Sequence, residues 1–214
     1  MFRFSVKQNA DSIFPNPKPL LTTCFLSFFM EFRQEIKITK ERVAVLIGKK
    51  GEIKKKIEAV TKTRLRVDSD EGDIYITGED GLGVYTANEI ISAIGRGFNP
   101  DYAMLLLKGD YVYEQINMND FTKTKSSLQR LKGRVIGTDG KCRKLVEELT
   151  ECYICVYGKT IGIIGETSNV VVAKRAVESL LRGSQHASVY RWLEKQRHNL
   201  KKRLLLGDEA GPKE

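Results

Sequence analysis

Two short stretches decide how this sequence is read: Val45-Leu46-Ile47-Gly48-Lys49-Lys50-Gly51 and Arg134-Val135-Ile136-Gly137-Thr138-Asp139-Gly140. Both contain Ile-Gly-x-x-Gly, and Gly48 and Gly137 stand 89 positions apart. One such glycine pair is weak evidence, because two glycines three apart arise often by chance. Here the surroundings repeat as well. After Gly51, the residues Ile53, Ile57 and Val60 fall at i, i+4 and i+7, an apolar helical face. After Gly140, the residues Cys142, Leu145, Val146 and Leu149 draw the same face.

Working outward, each copy turns strand-like. Thr63 to Val67 alternates strictly, and Ile74-Tyr75-Ile76 follows a loop containing Gly72. In the second copy Cys152 to Tyr157 and Thr160 to Ile164 flank a turn at Gly158-Lys159. Helical stretches close the copies, Leu82 to Arg96 and Ser168 to Arg182, and extended segments open them, Glu35 to Thr39 and Tyr111 to Met118. Short helices precede the glycines, Glu41 to Leu46 and Ser126 to Val135. The order is strand, helix, Gly-x-x-Gly, helix, strand, strand, helix, twice over. Helices alternating with a three-stranded sheet predict an α+β layer architecture.

Each copy resembles a KH domain of the eukaryotic type, which implies two tandem type I modules of order βααββα plus a C-terminal helix. The domain reading places an N-terminal extension at 1–33, the first module at 34–98, a connection at 99–110 and the second module at 111–183. A basic C-terminal helix at 184–206 and a disordered tail at 207–214 follow. Tyr102 to Lys108 is expected to form a helix within the connection. The tandem pair with its basic C-terminal helix is most similar to the archaeal and eukaryotic KH family of small-subunit ribosome-assembly factors, the partner of the Nob endonuclease. That resemblance implies a cytoplasmic, non-membrane protein that binds single-stranded small-subunit rRNA near its 3′ end. It also implies the Nob endonuclease and other pre-ribosomal proteins as partners. The alternative is a KH-based protein scaffold in an RNA-processing complex.

The chemistry of the loops points to RNA independently. Glycine lets backbone approach a ligand and adopt positive φ. A loop ending at a helix N-terminus offers free N–H groups and a favourable dipole to phosphate. KH clefts clamp about four nucleotides in this way. In the first copy the candidates are Gly48, Lys49, Lys50 and Gly51, with Arg42 and Lys54 nearby and Ile47, Leu65 and Val67 as apolar walls. In the second they are Gly137, Thr138, Asp139 and Gly140, with Arg134, Lys141, Arg143 and Lys144 around them and Ile136, Ile154 and Val156 as walls. Asp139 would repel phosphate, but it suits a cap on the following helix. By charge the first loop is the stronger phosphate binder. The resemblance points the other way, because eukaryotic relatives tend to lose the first Gly-x-x-Gly, whereas this sequence keeps both.

Composition agrees with a polyanionic partner: 36 Lys and Arg against 27 Asp and Glu give a net charge of +9. The Cys152-x-x-Cys155 pair is no zinc or redox site on a strand, where residues three apart face opposite ways. Both cysteines read as small buried hydrophobes. The apolar run Leu20 to Phe29 is about ten residues, too short for a membrane span, and Met30 is the expected true start. The stretch Ser184 to Leu205 is amphipathic, with Val189, Trp192, Leu193, Gln196, Leu200 and Leu204 along one side; docking on the second module with RNA contact is the first expectation, and binding a protein partner or lying on a membrane are the alternatives. No catalytic constellation is visible. Only His186 and His198 are available for His chemistry, and Glu147 and Glu148 read as solvated helix carboxylates. No cofactor or metal site is expected.

Overall fold

The computed structural model describes residues 31–206, with side chains through Asn199. The readings for residues 1–29 and for the tail from Gly207 lie outside the described residues. The first module comprises β1 (Phe32–Lys37), α1 (Lys40–Ile47), α2 (Glu52–Thr61), β2 (Thr63–Val67), β3 (Asp73–Gly78) and α3 (Gly81–Gly95). A connection follows, made of α4 (Pro100–Ala103) and a 3-10 turn at Met104–Leu107. The second module comprises β4 (Tyr111–Asn117), α5 (Lys125–Ile136), α6 (Lys141–Thr150), β5 (Tyr153–Tyr157), β6 (Thr160–Glu166) and α7 (Thr167–Leu181). The basic helix α8 (His186–Leu206) closes the chain. This is the α+β, twice-repeated βααββα architecture read from the sequence.

Both sheets are antiparallel, in the orders β1-β3-β2 and β4-β6-β5. The third strand of each module is therefore central, and β2 and β5 are edges beside α2 and α6. Strand β1 starts at Phe32, earlier than the sequence pattern suggested, because Phe32 pairs with Gly78 in the β3 ladder. The α2 face also differs from its expectation. Val60 is 53% exposed, while Ile57 and Thr61 are buried. A threonine buries there because its hydroxyl donates to the Ile57 carbonyl at 2.7 Å. Thr150 repeats this on α6 with Val146 at 2.7 Å. A satisfied hydroxyl costs little inside a core.

The end of the first module, just before the connection, packs the two modules together. Phe98 is buried, and its ring meets Tyr113 edge-on, with centroids 6.2 Å apart. A Cβ on Gly162, in the central strand of the second sheet, would fall 2.5 Å from that ring. Ile164 of the same strand joins the apolar cluster of the first module. The second sheet is thus covered by its own helices on one face and by the first module on the other. Such a two-sided strand must be apolar throughout, and β6 is buried from Thr160 to Gly165. The cysteine pair divides as expected. Cys152 is buried in the second core, whereas Cys155 packs against the first-module cluster.

Candidate nucleic-acid interface

The two glycine loops have one conformation. Gly48, Lys50 and Gly51 have φ of +70°, +54° and +77°, and Gly137, Asp139 and Gly140 have +72°, +53° and +75°. The glycines serve different ends. A Cβ on Gly48 would strike Ile53 at 2.7 Å, and one on Gly137 would strike Cys142 at 2.7 Å, so these two let the hinge fold onto the next helix. At Gly51 and Gly140 a Cβ would meet nothing within 4 Å. Those positions are bare backbone facing open space, as an approaching strand requires. Neither α2 nor α6 has a side-chain cap on its N-terminus, so the first-turn N–H groups stay available to an anion.

Asp139 is therefore not the helix cap expected for it. The N-cap position belongs to Gly140, and Asp139 occupies the left-handed position before it. Aspartate tolerates that conformation better than most residues, which explains an acidic residue in a phosphate loop. Lys49, Lys50, Thr138 and Lys141 are exposed on the hinges, as is Lys144 on the next turn of α6. Ile47, Val67, Ile136 and Val156 are half-buried and present partial apolar surface.

Four of the predicted site residues are placed elsewhere. Leu65 and Ile154 are each 3% exposed inside the two cores, so they support the clefts and present no wall to them. Arg42 and Arg134 cap helices. Arg42 Nε donates to the Ile94 carbonyl at 2.8 Å, and its Nη2 donates to Phe98 O. Arg134 Nε donates to the Leu180 carbonyl at 3.1 Å, and its Nη2 donates to Ser184 O. Each arginine thus ties up the carbonyl end of its module's last helix, where cations are favoured. Each guanidinium thus spends two of its five N–H donors on helix-end carbonyls of its own module.

The cleft floor contains a repeated device that the sequence reading missed. Glu58 Oε1 accepts from the Leu65 amide at 2.8 Å, and Glu147 Oε1 accepts from the Ile154 amide at 2.8 Å. These bonds satisfy outward N–H groups on edge strands and fix the gap between helix and strand. Glu147 is consequently no solvated helix carboxylate. Lys54 and Arg143 lie beside these glutamates, at 3.9 Å and 3.8 Å, half-buried at the cleft. No group of three metal-binding side chains occurs among the described residues.

The C-terminal helix braces the second hinge. Val189 and Leu193 are buried in the second core. His186 Nε2 donates to the Arg134 carbonyl at 2.9 Å, in the last turn before Gly137. Tyr190 packs against the second core, and burial pushes its hydroxyl up to about 12. No described helix is long and apolar enough to cross a membrane.

The geometry is that of two KH clefts, and comparison with known proteins agrees. Residues 112–198 match the family described as eukaryotic type KH-domain (KH-domain type I), and residues 33–93 match the KH domain family. A KH domain-containing protein of Methanocaldococcus jannaschii is 47% identical over 171 residues, covering 78% of this chain and 75% of the relative. The pre-rRNA-processing protein PNO1 of Chaetomium thermophilum is 33% identical over 105 residues, covering 48% of this chain and 40% of the relative. A chain of the a/eIF2alpha-aDim2p-rRNA complex from Pyrococcus horikoshii OT3 is 44% identical with a TM-score of 0.75, covering 80% of this chain and 97% of that one. This chain belongs to the archaeal and eukaryotic PNO1/Dim2 family of KH-domain ribosome-assembly factors.

Proposed function

We propose that this protein binds single-stranded RNA in its two clefts and acts as a small-subunit ribosome biogenesis factor on the 3′ region of the small-subunit rRNA. The observation that carries the reading is the doubled hinge, in which bare glycine backbone and an uncapped helix N-terminus meet in open space. The rRNA assignment is supported by the similar chain solved in a complex with rRNA. In this reading the protein is non-enzymatic and cytoplasmic. It holds RNA for other pre-ribosomal proteins, among them the Nob endonuclease. The site residues are Gly48 to Gly51 with Lys54, and Gly137 to Lys141 with Arg143 and Lys144.

The test is binding of single-stranded RNA to two double variants, Lys49→Asp with Lys50→Asp, and Thr138→Asp with Lys141→Asp. At least one pair should weaken binding tenfold or more. Each lost phosphate contact should also flatten the slope of log affinity against log salt by about 0.7. If neither pair weakens binding, the cleft reading fails. The scaffold alternative draws on another surface, where Leu82 and Tyr85 of α3 and Val171 of α7 stand exposed. It predicts that both hinge variants bind RNA normally and that changes on that surface disturb assembly instead.

A further inference from the structure

A groove of about 440 Å³ runs between the closing helices of the two modules, and no hinge residue lines it. Helix α3 contributes Tyr85 and Glu89, α7 contributes Val171 and Lys174, and β4 contributes Val112 and Glu114. Its apolar surface continues outward. Tyr85 and Val171 are 60% and 64% exposed, and Leu82, 72% exposed, stands three positions before Tyr85 on the same face of α3. Exposed apolar side chains gathered at one groove mark an interaction site. Charge sets the groove apart in a chain whose net charge is +9. Lys174 pairs with Glu114 at 2.9 Å, which leaves Glu89 as the surplus charge. Glu89 is half-buried and has no cation within 4 Å among the described residues. Burial, with the Glu114 charge second, raises its carboxyl above the ordinary value. A carboxylate drawn out of water without a partner is costly, and an arriving cation relieves that cost.

We propose that this groove docks a segment of a protein partner that presents an arginine beside apolar side chains. The guanidinium pairs with Glu89 and lies against the exposed ring of Tyr85, one helical turn away, while its apolar neighbours cover Leu82 and Val171. Arginine suits both contacts, because its planar fork matches a carboxylate and stacks on aromatic faces. An RNA strand suits the groove less well, since two carboxylates against one lysine repel phosphate. A small free cation would leave Leu82, Tyr85 and Val171 bare. The inference is independent of the cleft reading, because the groove and the hinges use different residues.

The experiment uses the full chain and the peptide acetyl-Leu-Ser-Arg-Leu-Ser-Leu-amide, with a twin that carries citrulline, a neutral copy of arginine. Amide shifts are followed by nuclear magnetic resonance as each peptide is titrated into the unaltered chain and into Glu89→Gln. The arginine peptide should shift the amides of Tyr85, Glu89, Val112 and Val171 saturably. Glu89→Gln, or citrulline in the peptide, should weaken binding about tenfold. Both changes together should weaken it no further than either alone, since they remove the same pair. Losses that multiply, equal binding of the two peptides to the unaltered chain, or no shift at the groove would each overturn the proposal. Spermidine and a twelve-nucleotide single-stranded RNA serve as controls. If either shifts the groove amides as strongly as the arginine peptide does, the site belongs to small cations or to RNA, and the docking proposal falls.

Discussion

Replacing Phe98 by alanine removes a buried aromatic ring set between the two modules. Phe98 is 3% exposed, touches the position of Gly162 in the second sheet and meets Tyr113 edge-on. Truncating a buried phenylalanine costs about 3–5 kcal/mol, through lost transfer energy and the cavity left behind. About 0.5–1.5 kcal/mol of such a loss is attributable to an aromatic pair. Against a typical total stability of about 5–15 kcal/mol, Phe98→Ala should remove a large share. Arg42 Nη2 also donates to the Phe98 carbonyl, a backbone bond that the substitution preserves. The loss should therefore come from packing alone. Denaturant unfolding followed by circular dichroism gives its size, and amide exchange gives its location. Both modules should lose protection, because the second sheet borrows its outer cover from the first module. A loss under about 1 kcal/mol, or one confined to a single module, would refute the shared core.

Three further outcomes follow from the same geometry. Gly162→Ala, whose Cβ would fall 2.5 Å from the Phe98 ring, should cost about 1–3 kcal/mol by overpacking, measured by the same unfolding assay. Arg42→Met and Arg134→Met should each lower stability by about 1.5–3 kcal/mol, since each guanidinium donates to two carbonyls, while leaving the salt slope of RNA binding unchanged. A flattened slope would return these arginines to the phosphate contacts. Glu89→Gln should stabilise the fold at neutral pH, as read by thermal unfolding across pH. Burial, with the Glu114 charge second, raises the Glu89 carboxyl above its ordinary value. The unfolded chain therefore loses this proton at lower pH than the folded chain. The destabilisation grows as pH rises through that interval and is complete above the folded pKa, so the advantage of the variant should vanish below the unfolded value of about 4.3.

Much of the fold was legible because each local signal agreed with the next. The hinge glycines, the apolar spacing after them and the alternating strands recur in one order, and the structure returns that order. Residues that act at long range were not legible. Arg42 and Arg134 sit among basic residues beside the hinges, yet their partners lie 52 and 46 positions away in sequence. Charge and proximity alone made them look like phosphate ligands. Leu65 and Val67 share a strand face by period two, but alternation cannot say how deeply each is covered once α2 packs over the strand. Glu147 looked like a surface carboxylate, and Glu58 drew no reading, because the groups bonded to them are backbone amides, which carry no sequence signal. Phe98 comes after the closing helix α3, at the last position read as the first module, where no periodic pattern marked it as core.

The account turns on main-chain amides at the two hinges meeting an RNA strand. Amide chemical shifts, followed by nuclear magnetic resonance during titration with single-stranded RNA, test this directly. The largest changes should fall at Gly48 to Ile53 and at Gly137 to Cys142, with smaller ones at the cleft floor around Lys54 and Arg143. Saturable binding that leaves both glycine hinges unshifted and moves amides elsewhere would contradict it.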